Sequence, residues 1–237
     1  MNNDNRVLDG RVTAVITAAG RGTRMKSDTN KQYMEISGIP VLTRTISTFQ
    51  QCEAIDEIIL VVNEDDIDFC RNKIIEQNNF SKVSRLVGGG AERQNSVYSG
   101  LCAVGKASDI VLIHDGARPF VSGRNIIDCI EAARTYRACG VGVRLKDTIK
   151  ICDDKCFVSS TPERNSLWSI QTPQGFALDT IIEANEKAIR DNYIGTDDMV
   201  LVERLGIPVK IIEGNYYNIK ITTPEDLAVA ESIAANL

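Results

Sequence analysis

The residues best suited to chemistry fall in four segments. The first is A-A-G-R-G-T-R-M at 18–25, where Gly20 and Gly22 let the backbone approach a ligand closely and successive loop N–H groups can surround a phosphate. Arg24, and Lys31 in N-K-Q-Y, add two cations within a few residues of the glycine turn. The second segment, V-L-I-H-D-G-A-R-P-F at 111–120, places Asp115 and Arg118 around a turn made by Gly116 and Pro119. A carboxylate there can hold a ribose hydroxyl, a magnesium ion or a substrate hydroxyl, or simply cap the turn. In the third, R-N-S-L-W-S-I-Q-T-P-Q-G-F at 164–176 followed by G-T-D-D at 195–198, hydroxyls and an arginine accumulate without a nucleophile paired to a base. The fourth is Lys220 in N-I-K-I-T.

Cations, loop amides and carboxylates without a dedicated base indicate phosphoryl or nucleotidyl transfer, where catalysis is mainly positioning and charge stabilisation. The chain has one histidine, His114, beside Asp115 at what reads as a strand end; every base-driven mechanism would have to run through it, and a structural role is the expectation. A phosphate monoester, with a second pKa of about 6, is largely ionised at neutral pH and attacks without a general base. A nicotinamide site is excluded because Met25 stands at the third glycine position of G-x-G-x-x-G, and Asn63, not an acid, ends the second strand. No P-loop is present: neither 18–25 nor G-G-G-A-E-R-Q-N-S at 88–96 ends in G-K-[ST]. A non-catalytic nucleotide-binding protein would have no need of Arg24, Lys31 and Lys220 together.

The 237 residues carry a net charge of −5, with 43% hydrophobic and 25% charged side chains, the profile of a folded globular chain with no nucleic-acid polymer as partner. Seven cysteines, an odd number, leave at least one thiol unpaired and point to a reducing compartment. Cys152 and Cys156 in C-D-D-K-C lack the second ligand pair that a zinc site requires and read as incidental. No apolar run approaches the roughly 20 residues of a membrane span, and the expected location is the cytoplasm.

These segments need a scaffold. Short apolar runs at 12–16, 58–62, 83–87 and 110–113 have the pattern of strands buried on both faces. Helical spacing occupies 41–49, 66–77, 92–104, 124–138 and 180–190, so strand and helix alternate as in an α/β, Rossmann-like doubly wound, mostly parallel sheet, here expected as one domain over 1–237. The glycine loop and its cations would then converge at the C-terminal edge of that sheet, where such folds bind ligands. The stretch 147–160 breaks the rhythm and reads as two short strands around a polar turn, either a surface excursion or an arm exchanged between subunits. A strand is expected at 208–213. Thr223 as N-cap, Pro224 at the first helical position, and Glu225 and Asp226 in the first turn start a closing helix.

In order along the chain, A-A-G-R-G-T-R-M, N-K-Q-Y, G-G-A-E-R-Q-N-S, H-D-G-A-R-P-F, D-T-I-K, R-N-S-L-W-S-I-Q-T-P-Q-G-F, G-T-D-D and N-I-K-I-T-T-P-E-D-L closely resemble the 2-C-methyl-D-erythritol 4-phosphate cytidylyltransferases of the non-mevalonate isoprenoid pathway. The resemblance implies transfer of CMP from CTP to that polyol phosphate, with release of pyrophosphate and a divalent cation, usually magnesium, held mainly by the CTP phosphates. It implies that Ala18, Ala19, Gly20 and Gly22 line the nucleotide, that Arg24 and Lys31 bind its phosphates, and that Lys220 joins Lys31 at the α-phosphate. Gly90, Ala91, Arg93 and Ser96 match the loop that reads cytosine. Asp115 would meet the ribose or the sugar phosphate, with Gly116 and Arg118 bordering the same pocket, and Thr148, Arg164, Thr172 and Thr196 would surround the methylerythritol phosphate. The stretch 147–165 becomes a dimerisation arm that carries Thr148 and Arg164 into the partner's site of a homodimer. Thr17 and Gly116 stand where relatives often have proline and alanine. Ribitol-5-phosphate cytidylyltransferase is the neighbouring alternative, sharing the first loop and H-D-x-x-R-P-F; R-N-S-L-W ahead of Q-T-P-Q favours the methylerythritol enzyme.

Overall fold

Alternation of buried side chains along each central strand builds the molecule. A computed structural model describes residues 10–20 and 31–237. The elements run β1 (Arg11–Thr17), a 3₁₀ turn (Lys31–Tyr33), β2 (Glu35–Ile36), β3 (Ile39–Pro40), α1 (Val41–Gln51) and β4 (Glu57–Val62). They continue with a 3₁₀ turn (Glu64–Asp66), α2 (Ile67–Phe69), a π-helical stretch (Cys70–Glu76), β5 (Val83–Gly88), α3 (Arg93–Ala103), β6 (Ser108–Asp115), α4 (Gly123–Tyr136) and β7 (Ala138–Arg144). The hairpin strands β8 (Ile151–Cys152) and β9 (Val158–Ser160) follow, then β10 (Trp168–Ala177), α5 (Leu178–Arg190), α6 (Met199–Glu203), β11 (Lys210–Glu213) and α7 (Pro224–Ala234).

Seven strands form one sheet in the order β11-β7-β10-β6-β1-β4-β5. All neighbours are parallel except β10, which runs antiparallel to both β6 and β7. The mostly parallel α/β sheet expected from the sequence is therefore present. On one face Val12, Ala14, Ile16, Leu60 and Leu112 pack with Leu42, Ile46 and Phe49 of α1 and Ile126 and Ile130 of α4. On the other, Val15, Ile59, Val61, Val111 and Ile113 meet Val97 and Leu101 of α3 and Ile181 of α5. Strands covered on both faces have no polar side to show, which is why they read as continuous apolar runs. The chain winds outward through β1, β4 and β5, then returns to place β6 on the other side of β1. Ligands of open α/β sheets bind at the C-terminal strand ends beside such a reversal.

The structure differs from the sequence reading at several places, among them β5, expected to be buried on both faces but found as the sheet's edge strand with Ser84 and Arg85 exposed. The helix expected over 66–77 divides into a 3₁₀ turn, α2 and the π-helical stretch; Ile67, Cys70 and Ile74 have a spacing that fits an α-helix equally well, so periodicity is blind to the wider bonding. The helix expected over 124–138 ends at Tyr136, because Arg137 adopts the left-handed conformation at φ 65° and Ala138 already pairs in β7. β7 and β10 had no counterpart among the expected strands. By contrast, α7 starts as its sequence dictates: the Asp226 carboxylate accepts from the Thr223 N–H at 2.9 Å, and Thr223 Oγ1 accepts from the Asp226 N–H. The hairpin also forms, β8 pairing antiparallel with β9 apart from the main sheet, and its turn is held by the Asp153 carboxylate, which accepts from the N–H groups of Lys155 and Phe157. Ile151, Phe157 and Val158 on this hairpin are exposed.

Candidate functional site

A pocket of about 670 Å³ opens at the C-terminal ends of β1, β4 and β6. One wall is the chain after β1, with Thr17, Ala18, Ala19 and Gly20; the facing wall is the loop after β5, Gly89 to Glu92, leading into α3. The two loops touch. A Cβ on Gly89 would lie 2.3 Å from the Ala19 Cβ, so a side chain there would force the walls apart, and one on Gly90 would lie 2.4 Å from the Asn95 Cβ within the second wall itself. The Gln32 amide donates to the Ala18 carbonyl at 2.8 Å and fixes the first wall from behind. The Ser96 hydroxyl accepts from the Gly90 N–H at 3.1 Å and donates to the Glu92 carbonyl at 3.2 Å, so it folds the second. The N-terminus of α3 opens onto the same space, with its first-turn N–H groups and positive dipole end favouring an anion.

Asp115, at the end of β6, is the floor. Its carboxylate is 3.0 Å from Arg93, 2.8 Å from Lys220 and 3.5 Å from Arg118, and it is nearly inaccessible to solvent. Burial alone would push this carboxyl up; Arg93, Lys220 and Arg118 together outweigh that and hold it far below the ordinary carboxylate range. Arg93 also pairs at 2.8 Å with Asp198, just before α6. Burial pushes the Asp198 carboxyl up, since one arginine offsets only part of the desolvation. Three cations and two carboxylates thus leave one net positive charge at the base of the pocket. Lys220 is held in reach because the Ile221 N–H donates to the Ala117 carbonyl at 2.8 Å, tying the segment before α7 to the Asp115 turn. Arg118 donates to the Asn218 carbonyl at 2.8 Å from that same segment.

Of the residues singled out in the sequence, Ala18, Ala19, Gly20, Gly90, Ala91, Arg93, Ser96, Asp115 and Lys220 line this one pocket. Gly116 lies beneath it, where a Cβ would sit 3.0 Å from both the Ala18 Cβ and the Leu42 Cδ1. Thr172 is buried directly under Asp115, its hydroxyl 3.0 Å from the Asp115 N–H. Gly22 and Arg24 lie outside the described residues, and of Lys31 only the backbone, in the 3₁₀ turn, is described. Thr148, Arg164 and Thr196 are exposed and do not line the pocket; Arg164 donates to the Lys146 carbonyl at the foot of the hairpin. The 193–195 stretch beside Thr196 is clamped to α3 by Gln94, whose amide donates to the Tyr193 carbonyl and accepts from the Gly195 N–H.

Sequence reasoning left Gln32, Asn63, Glu64, Asp65 and Asp198 without a role. The first four line the pocket and the last anchors Arg93. Signals existed for two of them: Gln32 belongs to N-K-Q-Y and Asp198 to G-T-D-D, motifs recognised only for their neighbours.

The profile of the 2-C-methyl-D-erythritol 4-phosphate cytidylyltransferase family matches residues 12–236. A curated relative of that name from Caldanaerobacter subterraneus subsp. tengcongensis is 50% identical over 220 residues, which cover 93% of this chain and 97% of its own. Another, from Clostridium novyi, is 48% identical over 224 residues, 94% of this chain and 96% of its own. The crystal structure of 4-diphosphocytidyl-2C-methyl-D-erythritol synthase from Anaerococcus prevotii is similar with a TM-score of 0.86 at 38% identity, covering 97% of this chain and 98% of that one. The methylerythritol phosphate cytidylyltransferase of Thermus thermophilus gives 0.78 at 29% identity, over 95% and 99% of the two chains. Matched over nearly its whole length in sequence and in fold, the chain belongs to the 2-C-methyl-D-erythritol 4-phosphate cytidylyltransferase family of nucleotidyltransferases.

Proposed function

We propose that this enzyme transfers CMP from CTP to 2-C-methyl-D-erythritol 4-phosphate, releasing pyrophosphate, and that the cation cluster on Asp115 is the centre of the reaction. That cluster carries the reading: Arg93, Arg118 and Lys220 converge on one buried carboxylate at the base of a pocket walled by two close-packed loops. In the reaction the phosphate oxygen of the polyol phosphate attacks the α-phosphorus of CTP, the bond to the bridging oxygen breaks, and pyrophosphate leaves with that electron pair. The attacking oxygen is already ionised at neutral pH, so no side chain has to remove a proton. Lys31 and Lys220 stabilise the charge that builds on the α-phosphate, and Arg24 binds the departing phosphates. Ala18, Ala19, Gly20 and Gly22 follow the nucleotide backbone, while Gly90, Ala91, Arg93 and Ser96 frame the cytosine.

Magnesium fits this site as a companion of the triphosphate. Among the described residues no group of three acidic, histidine or cysteine side chains is placed to hold an ion, and Asp115 is already engaged by three cations. Mg²⁺ ordinarily binds through one or two carboxylates plus substrate phosphates, and when bound it neutralises phosphate charge. The hairpin serves as a dimerisation arm that carries Thr148 and Arg164 to the partner's methylerythritol phosphate, which Thr196 borders from its own subunit; the apolar Ile151, Phe157 and Val158 exposed on the hairpin support this reading. All seven cysteines are free thiols, which suits a reducing cytoplasm, and among the described residues no helix is long and apolar enough to cross a membrane. Incubation with CTP, magnesium and either methylerythritol phosphate or ribitol 5-phosphate tests the proposal. Pyrophosphate release is expected with the first polyol phosphate; none above background, or faster release with ribitol 5-phosphate, would overturn it.

A further inference from the structure

The single histidine is wholly buried one residue before Asp115. Its Nε2 lies 3.2 Å from the Arg118 carbonyl and its Nδ1 3.0 Å from the Thr172 hydroxyl. A carbonyl only accepts, so Nε2 carries the proton, Nδ1 is the bare acceptor, and the Thr172 hydroxyl must donate to it. The same hydroxyl accepts the Asp115 N–H at 3.0 Å. One histidine and one threonine therefore grip both ends of the D-G-A-R turn, the N–H of residue 115 and the carbonyl of residue 118, while the ring packs on Phe49 with centroids 4.9 Å apart.

We propose that His114 and Thr172 form a neutral hydrogen-bonded staple that positions Asp115 and Arg118, and that Thr172 consequently has no proton to give to a phosphate oxygen. This rests on the transferase reading of the Asp115 cluster. The staple fixes the turn from below, whereas the Gly116 N–H to Thr17 carbonyl bond (2.8 Å) and the Thr45 hydroxyl to Gly116 carbonyl bond (2.9 Å) fix it from the sides. Misplacing a charged group by an ångström costs rates of up to about 100-fold without touching substrate directly, so His114 is a positioning residue. Thr172, its single hydroxyl proton given to His114, is left with acceptor capacity alone.

A lone histidine makes the test unambiguous. In protein labelled with ¹⁵N-histidine, without substrates, proton–nitrogen correlation spectra at neutral pH should show one imidazole protonated at Nε2 and bare at Nδ1. Thr172→Val should move the Nδ1 resonance towards that of an unbonded ring nitrogen, and Thr172→Ser should leave it in place. In assays Thr172→Val should lower kcat about tenfold or more with KM for CTP nearly unchanged, and Thr172→Ser should restore most of it. An imidazole protonated at Nδ1, an Nδ1 resonance indifferent to Thr172→Val, or an unaltered kcat in that variant would overturn the proposal. The spectra need no turnover, so failure of the transferase reading would show separately, as inactivity of the wild-type protein with the staple intact.

Discussion

Acidification from pH 7 to pH 5 should destabilise this protein mainly through His114. Burial pulls the imidazole from its ordinary 6.5 down to about 4; the Arg118 and Lys220 cations add to that, while Asp115 and the bond to the Arg118 carbonyl oppose it. In the unfolded chain the ring takes up its proton near 6.5, and in the folded protein it refuses it until about pH 4. Between those values the unfolded state binds more protons, so stability falls as pH falls. At about 1.4 kcal/mol per pH unit, the loss is about 2 kcal/mol by pH 5 and approaches about 3 kcal/mol at pH 4. For a chain of this size that is a drop of about 4–8 °C in Tm at pH 5. Carboxylates held low, such as Asp115 and Asp226, lose their stabilising effect only below the ordinary carboxylate range, beneath this window. Asp198, held high, acts in the opposite sense and gains stability on acidification. Urea unfolding of wild type and His114→Phe at pH 7 and pH 5 isolates the histidine: phenylalanine keeps a ring against Phe49 and does not titrate. The stability difference between the two proteins should shift by about 2 kcal/mol between the two pH values, against the wild type at pH 5. Parallel pH dependences would refute the reasoning, because they would mean that the ring titrates alike folded and unfolded.

Arg93→Met should cost about 3–5 kcal/mol, since it leaves Asp198, 1% exposed, as an unpaired buried charge; Asp198→Asn added to it should recover much of that in urea unfolding, and a double variant no more stable than Arg93→Met would contradict the pairing. Lys220→Ala should lower kcat by about 100-fold or more while changing stability by less than about 1 kcal/mol, because Asp115 keeps Arg93 and Arg118; a comparable loss of stability would make the lysine structural. Phe157→Asp, on the hairpin proposed as a dimerisation arm, should weaken self-association in sedimentation and lower activity together with it, and a fully active monomer would refute a shared site.

The parts that sequence revealed are those whose physics is local. β1, β4 and β6 announce themselves because burial on both faces leaves mostly apolar residues, β5 through its apolar Val83, Leu86 and Val87 although it lies at the sheet edge, and α7 because Thr223, Pro224 and Asp226 satisfy its first turn within one stretch of chain. β10 did not, because W-S-I-Q-T-P-Q-G-F-A carries Gln171, Thr172 and Gln174 into the interior. Those polar groups are satisfied from distant segments: Gln171 donates to the Asn215 carbonyl, Asn218 to the Gln171 side chain, and Gln174 to Asp197. No pattern within the strand shows such partners. The same limit applies to the site. Asp115 and Lys220 were legible as chemical groups on motifs, yet that they touch, and that Arg93 bridges Asp115 to Asp198, follows only from the winding of the sheet.

A carboxylate at the base of a pocket proposed to take a triphosphate looks misplaced, and the overall charge of −5 deepens the puzzle. Without Asp115, however, Arg93, Arg118 and Lys220 would repel one another at close range, with Arg93 alone keeping a carboxylate partner, Asp198. Their mutual repulsion, in a low-dielectric setting, is what the buried anion cancels. Asp115 holds the three cations together at the base of the pocket, and its own strong stabilisation in the charged form keeps that arrangement intact across physiological pH. The cluster remains net positive by one charge because Asp198 balances only Arg93's second contact. The substrate therefore meets an array already ordered, and the reorganisation that water would demand at the moment of transfer has been completed in folding.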